Sequence, residues 1–110
     1  MIVCTLVITL SGTDRRKVIA SLTPLLGSTR VQSGCRACSL LFDVEDPQTL
    51  VLREEWETQE QLDRHLASPD YRLILSAIDL SQNAPQIHFD TVANRAGLEM
   101  VEAVRIHRAP

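Results

Sequence analysis

Aromatic side chains are scarce in this chain: Phe, Trp and Tyr make up 4% of its 110 residues, with a single Trp and a single Tyr. A core must therefore be filled mainly by aliphatic side chains, and each aromatic position stands out. An excess of charge of one sign is also lacking. Eleven Lys and Arg face fourteen Asp and Glu, leaving a net charge of −3, and the basic residues are scattered. With no basic patch to neutralise phosphates, neither nucleic acid nor membrane is an expected partner. Long hydrophobic runs are missing too. "MIVCTLVITL" is apolar, but it is about half the ~20 residues that a membrane-spanning helix needs. It also lacks the basic n-region and small-residue cleavage site of a signal peptide. It reads as a buried first strand, and the expected location is the cytoplasm.

Cysteine is limited to Cys4, Cys35 and Cys38, an odd count that does not make a disulfide framework. Cys35-Arg36-Ala37-Cys38 spells C-x-x-C. No second such motif and no clustered histidine pair completes a zinc set, so no metal site is expected. The motif runs into "SLLFDV", a strand pattern, in which residues three apart point to opposite faces. The two thiols should therefore diverge. What is present suits an ordinary soluble domain: 45% apolar, 23% charged, and a length that fits one domain over residues 1–110 with a single core.

Ile2 to Leu10 alternates, with Ile2, Cys4, Leu6, Ile8 and Leu10 on one face and Val3, Thr5, Val7 and Thr9 on the other. Neither face carries a charge, as expected of a central strand. Ser11 to Asp14 offers a turn and an N-cap, and a helix should follow from about Arg15 with Val18, Ile19, Leu22, Leu25 and Leu26 inward. Pro24 has no amide hydrogen to give this helix, which predicts a kink or an end near Thr23. "GSTRVQSG" reads as a connection. Ala37 to Val44 alternates again, and a turn at residues 45–48 leads to Thr49–Trp56, an antiparallel neighbour. Leu50, Leu52, Glu54 and Trp56 share one face of that strand.

Thr58-Gln59-Glu60-Gln61 matches a capping box, opening a helix that brings Leu62, His65 and Leu66 onto one face. Ser68-Pro69 reads as a second N-cap with proline at N1, and the segment to about Leu80 as a helix with Tyr71, Ile74, Leu75 and Ile78 inward. Gln86 to Ala93 is a strand. After a turn at residues 94–97, Leu98 to Ile106 is expected to be another strand, although "LEMVEAV" also has helical character. Residues 1–93 would thus form the core of the domain, with 94–110 as a terminal strand or extension. The order β-α-β-β-α-β, with its second helix broken, predicts an α+β, ferredoxin-like split β-α-β fold with helices on one face of an antiparallel sheet. Val3 and Val7 on the uncovered face predict a homodimer, sheet against sheet.

"EEWETQEQLDRHLASPDY", residues 54–71, concentrates Trp56, His65 and Tyr71 at the step from strand to helix. Through Glu54, Trp56, Leu62, His65, Leu66, Ser68 and Pro69, this stretch resembles the antibiotic biosynthesis monooxygenase family, the dimeric α/β-barrel proteins that include small quinol monooxygenases. Gly34 and Cys35 at the start of the second strand, with Asp43 and Asp46 at its end, extend the resemblance over roughly residues 1–93. The resemblance implies oxygenation of a hydroquinone or polyphenol-like small aromatic substrate with no metal or flavin cofactor, in a pocket between helices and sheet. It further implies that His65 and Tyr71 are catalytic hydrogen-bonding groups, that Trp56 forms the flat wall, and that Glu54, Leu62 and Leu66 line the substrate site.

Each residue also has a purely structural reading: Trp56 and Tyr71 as core, His65 as a packed histidine, and Glu54 as its buried partner, since an unpaired buried carboxylate is costly. Two other functional classes remain open alongside the enzyme: a dimeric ligand-binding or regulatory module without turnover, and an isomerase of a small carbonyl compound. Haem degradation, known in related proteins with an Asn on the first strand, a Trp on the helix and a His on the next helix, does not fit. Here those places hold Thr5 and Leu6, His65, and a segment after Tyr71 without histidine.

Overall fold

The first strand, β1 (Ile2–Thr9), realises its alternation residue for residue in a computed structural model of the chain, which describes residues 1–108. Ile2, Cys4, Leu6 and Ile8 are buried, while the residues between them are only half-covered. β1 lies between β3 (Thr49–Trp56) and β4 (Gln86–Thr91), and β2 (Cys35–Phe42) closes the other side in the order β2-β3-β1-β4. Every pairing is antiparallel. The core lies on one side of this sheet, where α1 (Gly12–Arg30) and α3 (Tyr71–Asp79) bring Val18, Leu22, Leu25, Ile74 and Ala77 onto Leu6, Ile8, Leu50 and Leu52. The short α2 (Gln59–Leu66) packs Leu62 onto Trp56, Ile2 and Cys4. This is the α+β, ferredoxin-like arrangement that the strand order predicts.

No helix of the α1–α3 layer lies on the opposite face. The register places Val3, Thr5 and Val7 beside Glu55, Arg53 and Val51 of β3, and beside Asp90, His88 and Gln86 of β4. That face is apolar at one end and charged at the other, where Glu55 is paired with both Arg53 and Arg95.

Four local expectations are overturned, each for a physical reason. α1 neither kinks nor stops at Thr23 but runs through Pro24 to Arg30. Pro24 and Ala20, whose carbonyl loses its amide partner, both face solvent, and the Thr23 hydroxyl donates to the Ile19 carbonyl at 2.6 Å. Ser68 is not an N-cap: its hydroxyl donates back to the His65 carbonyl at 2.7 Å, closing α2, and α3 starts three residues later. The thiols of Cys35 and Cys38 do not diverge. A bulge between Cys35 and Ala37 adds one residue to β2, so Cys35 pairs with Trp56 and Cys38 with Glu54, two positions apart on one face of β3. Gly34, just before it, adopts φ 88° and packs against the Gln61 side chain so closely that a Cβ there would collide with it.

The fourth correction concerns the terminal segment. Leu98–Arg108 is a helix, α4, and not a strand. The Glu99 carboxylate accepts the Gly97 amide at 2.8 Å at its start, while Arg105, His107 and Arg108 sit in the last turn, both matched to the helix dipole. Met100, Val101 and Val104 are spaced as on one face of a helix, although Leu98, Met100, Val104 and Ile106 also alternate. Every residue of α4 is exposed.

Candidate functional site

Glu54 is the organising residue. Its strand position puts it on the buried face of β3, with Cys4 of β1 directly opposite on one side and Cys38 of β2 on the other. A carboxylate there is only 4% exposed and requires donors. Trp56, two residues along the same face, donates its indole N–H to Glu54 Oε1 at 3.2 Å. His65 Nε2 bonds Glu54 Oε2 at 3.1 Å, and the Cys38 thiol approaches the same oxygen at 3.9 Å. The other His65 nitrogen, Nδ1, meets the Gln32 side-chain amide at 3.2 Å. That amide can present its oxygen to an N–H at Nδ1 or, turned over, its NH2 to a bare ring nitrogen.

His65 reaches Glu54 because α2 begins at a fixed place. Thr58 accepts the Gln61 amide at 3.2 Å as N-cap, which sets Leu62 and His65 one turn apart on the inward face. Only half of the capping box forms, since the Gln61 side chain turns to the Ser33 hydroxyl instead. The imidazole stacks on Trp56 with ring centroids 4.6 Å apart, and Tyr71 stands edge-on to it at 5.3 Å. Leu62 is buried and Leu66 half-buried against the same tryptophan cluster. The structure thus brings together all six residues singled out in the sequence: Glu54, Trp56, Leu62, His65, Leu66 and Tyr71.

They do not surround an open cavity. Trp56 is 0% and His65 2% exposed, and both imidazole nitrogens are bonded. Among the described residues, a cleft of about 290 Å³ adjoins Gln32, Ser33, Gln61, Arg64 and Ser68. Others of about 250 and 130 Å³ lie along α1, against β2 and α3 respectively. None has Trp56, His65 or Tyr71 in its wall. α2 and its leucines close over Trp56, which leaves no room at the indole face.

Tyr71, like Leu66, meets the surface. The tyrosine is half-buried, and its hydroxyl has no hydrogen-bond partner among the described residues. Burial, followed by the nearby Glu54 charge, pushes its pKa up to about 12, so it is a neutral phenol that can donate or accept a hydrogen bond. Beside it the helix layer stops short. By register, Ile87 and Phe89 of β4 share the helix side with Leu6 and Cys4, yet they are 42% and 46% exposed. Leu73 and Leu80 of α3 face α1, whereas Tyr71 and the exposed Leu75 lie on its other flank. Tyr71 therefore lies on the flank of α3 turned away from α1, and the helix side of β4 is left uncovered at Ile87 and Phe89.

Gln32, Cys4 and Cys38 belong to this site and were not anticipated. The pairing of β3 with both neighbours would have pointed to the two cysteines, whereas nothing in the connecting segment marks Gln32. Burial first, then the Glu54 charge, raises the pKa of Cys4 and of Cys38 to about 12. Both are therefore protonated, poorly nucleophilic thiols. No group of three or more His, Cys, Asp and Glu among the described residues could hold a metal ion, and no helix among them is long and apolar enough to cross a membrane.

Comparison with known proteins adds the family context. The sequence model described as antibiotic biosynthesis monooxygenase matches residues 1–75. No curated protein matches in sequence. Among solved structures, the chain is similar to Rv0793 from Mycobacterium tuberculosis, with 22% identity, a TM-score of 0.77, and coverage of 87% of this chain and 98% of that one. It is also similar to an antibiotic biosynthesis monooxygenase, at 22% identity and TM-score 0.75 over 86% of this chain and 100% of the other. A conserved protein from Methanosarcina mazei Go1 gives 18% identity and TM-score 0.75 over 81% and 89% of the two chains. At these identities the structural likenesses establish the fold.

Proposed function

Because the chain belongs to the antibiotic biosynthesis monooxygenase family, we propose that it is a cofactor-independent monooxygenase acting on a hydroquinone or polyphenol-like small molecule. The observation that carries this reading is the half-buried Tyr71 phenol, set edge-on to His65 of the buried Glu54–His65 pair and beside the uncovered Ile87 and Phe89 side of the sheet. A flat aromatic substrate would lie on Ile87 and Phe89 with one oxygen bonded to Tyr71. The substrate supplies all four electrons that oxygen needs. One oxygen atom enters the ring and the other leaves as water, so that a hydroquinone ends as a hydroxyquinone. The protein's part is orientation and exclusion of water.

Tyr71 is the catalytic residue in this reading, holding the substrate oxygen by a hydrogen bond. His65, with both nitrogens occupied, acts through Tyr71: it fixes the phenol ring edge-on. Trp56, Glu54, Leu62 and Leu66 hold the histidine in place. The working unit is a homodimer formed by the helix-free sheet faces, which would bury Val3, Val7 and Val51.

A second reading, a ligand-binding module without turnover, is favoured by the complete hydrogen bonding of His65. One experiment separates the two. Oxygen uptake with a panel of hydroquinones and naphthols should saturate in the native protein and fall at least tenfold in Tyr71→Phe, with folding intact. Saturable binding without oxygen uptake in the native protein would select the module. Equal uptake by the native and Tyr71→Phe proteins would remove Tyr71 from the chemistry.

A further inference from the structure

We infer that the cleft between α1 and β2 binds a medium-chain carboxylate, with its head on the Arg15 guanidinium and its chain along α1. The cleft, of about 250 Å³, is walled by Ile19 and Leu26 of α1 and by Leu40, Phe42 and Leu50 of the sheet, with Arg15 at one end. It is separate from the cluster around Trp56. Phe42 pairs with Leu50 and Cys35 with Trp56, so the two places lie at opposite ends of the β2–β3 ladder, about 20 Å apart along the strand.

The space is open because β2 is an edge strand and the helix layer does not close over its end. Phe42 pairs with the buried Leu50 and so faces the helices, yet it is 55% exposed. Apolar surface of this kind, rimmed by a polar group, is characteristic of a ligand groove.

The polar group is Arg15. It is half-buried, and its guanidinium carbon stands 5.4 Å from the Phe42 ring centroid. Its Nε donates to the Pro47 carbonyl at 2.7 Å, which pins the side chain. The two terminal NH2 groups have no hydrogen-bond partner among the described residues, and no carboxylate among them comes within ion-pair distance. The acids next to Phe42 and Pro47 are engaged within their own turn. Asp43 accepts the Glu45 amide at 2.8 Å, and Asp46 accepts the Thr49 hydroxyl at 2.8 Å. A guanidinium held at Nε and free along its outer edge matches the two oxygens of a carboxylate.

The rest of the wall selects an apolar chain. Arg15, Ile19, Thr23 and Leu26 follow one stripe of α1 over ~16 Å. Thr23, the other polar side chain there, donates its hydroxyl to the Ile19 carbonyl at 2.6 Å. Beyond Arg15 the cleft is thus lined by apolar groups, and its volume drawn out over that length suits a narrow chain better than a broad ring system. The cation at one end sets the direction in which the chain lies.

The test titrates the 15N-labelled full chain with octanoate, octanamide and acetate, followed by the NMR signals of the backbone amides and of the arginine Nε–H groups. Octanoate should move the signals of Arg15, Ile19 and residues 40–42 saturably, with octanamide and acetate each binding at least tenfold more weakly. The inference is overturned if either comparator binds as tightly as octanoate, or if octanoate does not saturate. Octanoate shifts centred on Trp56, His65 and Tyr71 would also overturn it. Arg15→Gln should weaken octanoate binding at least tenfold and leave octanamide unchanged, and unaltered octanoate binding in that variant would refute the role of Arg15. Should the variant not fold, octanoate against octanamide on the native protein decides alone. None of these readouts involves oxygen uptake, so the outcome does not depend on the proposed monooxygenase activity.

Discussion

Replacing His65 by Ala tests whether the aromatic cluster is packed core or a loosely lined pocket. A histidine lining a loose pocket would leave few partners unpaired and cost little in stability. The packed geometry predicts more. Glu54 loses the donor at 3.1 Å and keeps only the Trp56 indole and a distant thiol. A buried group left short of a partner costs about 1–3 kcal/mol, and more when it is a carboxylate. Loss of the stacked and edge-on ring contacts adds about 0.5–1.5 kcal/mol each. Together, about 3–5 kcal/mol is expected, against a total of 5–15 kcal/mol for a domain. Urea unfolding at fixed protein concentration, followed by the fluorescence of Trp56, measures it directly, since that is the only tryptophan. His65→Gln, which can still donate to Glu54, should recover part of the loss. A loss below about 1 kcal/mol for His65→Ala would refute the packed network.

Alkaline pH should destabilise the protein from about pH 9 upward. The folded-state pKa values of Cys4, Cys38 and Tyr71 are raised to about 12 from 9, 9 and 10, so the folded form favours the protonated groups. Their contribution is complete below the lower values and is lost as pH rises to 12, at up to ~1.4 kcal/mol per pH unit for each group. Thermal melts of the native protein and of Tyr71→Phe across pH 8–11 check this, and the variant should fall less steeply above pH 10. Thr58→Ala removes the N-cap that sets where α2 begins and should cost about 1 kcal/mol, read by denaturant unfolding. Folded protein at pH 8 should react with a thiol reagent at Cys4 and Cys38 much more slowly than the unfolded chain, and rapid labelling of either would contradict their burial beside Glu54.

Local pattern alone was enough for the sheet and most of its helix layer. Alternation in Ile2–Thr9 and Thr49–Trp56 declares which side chains face inward, because a strand leaves each residue only two directions. The same pattern put Glu54 beside Trp56, and the Thr58 cap with helical spacing put His65 over them. What sequence could not decide was contact between distant segments. A single inserted residue in β2 turned the Cys35–Cys38 pair onto one face, and bulges of that kind are settled by the fit between strands. Pro24 was tolerated because tertiary packing set it on the solvent side of α1. Leu98–Arg108 carries both helical and strand-like apolar spacing, and its end charges matter only once a helix forms. Whether Tyr71 is sealed in or left with a free hydroxyl depends on how far α3 reaches across β4. That reach is set by the packing of α3 against α1, a contact between residues more than fifty positions apart in the chain.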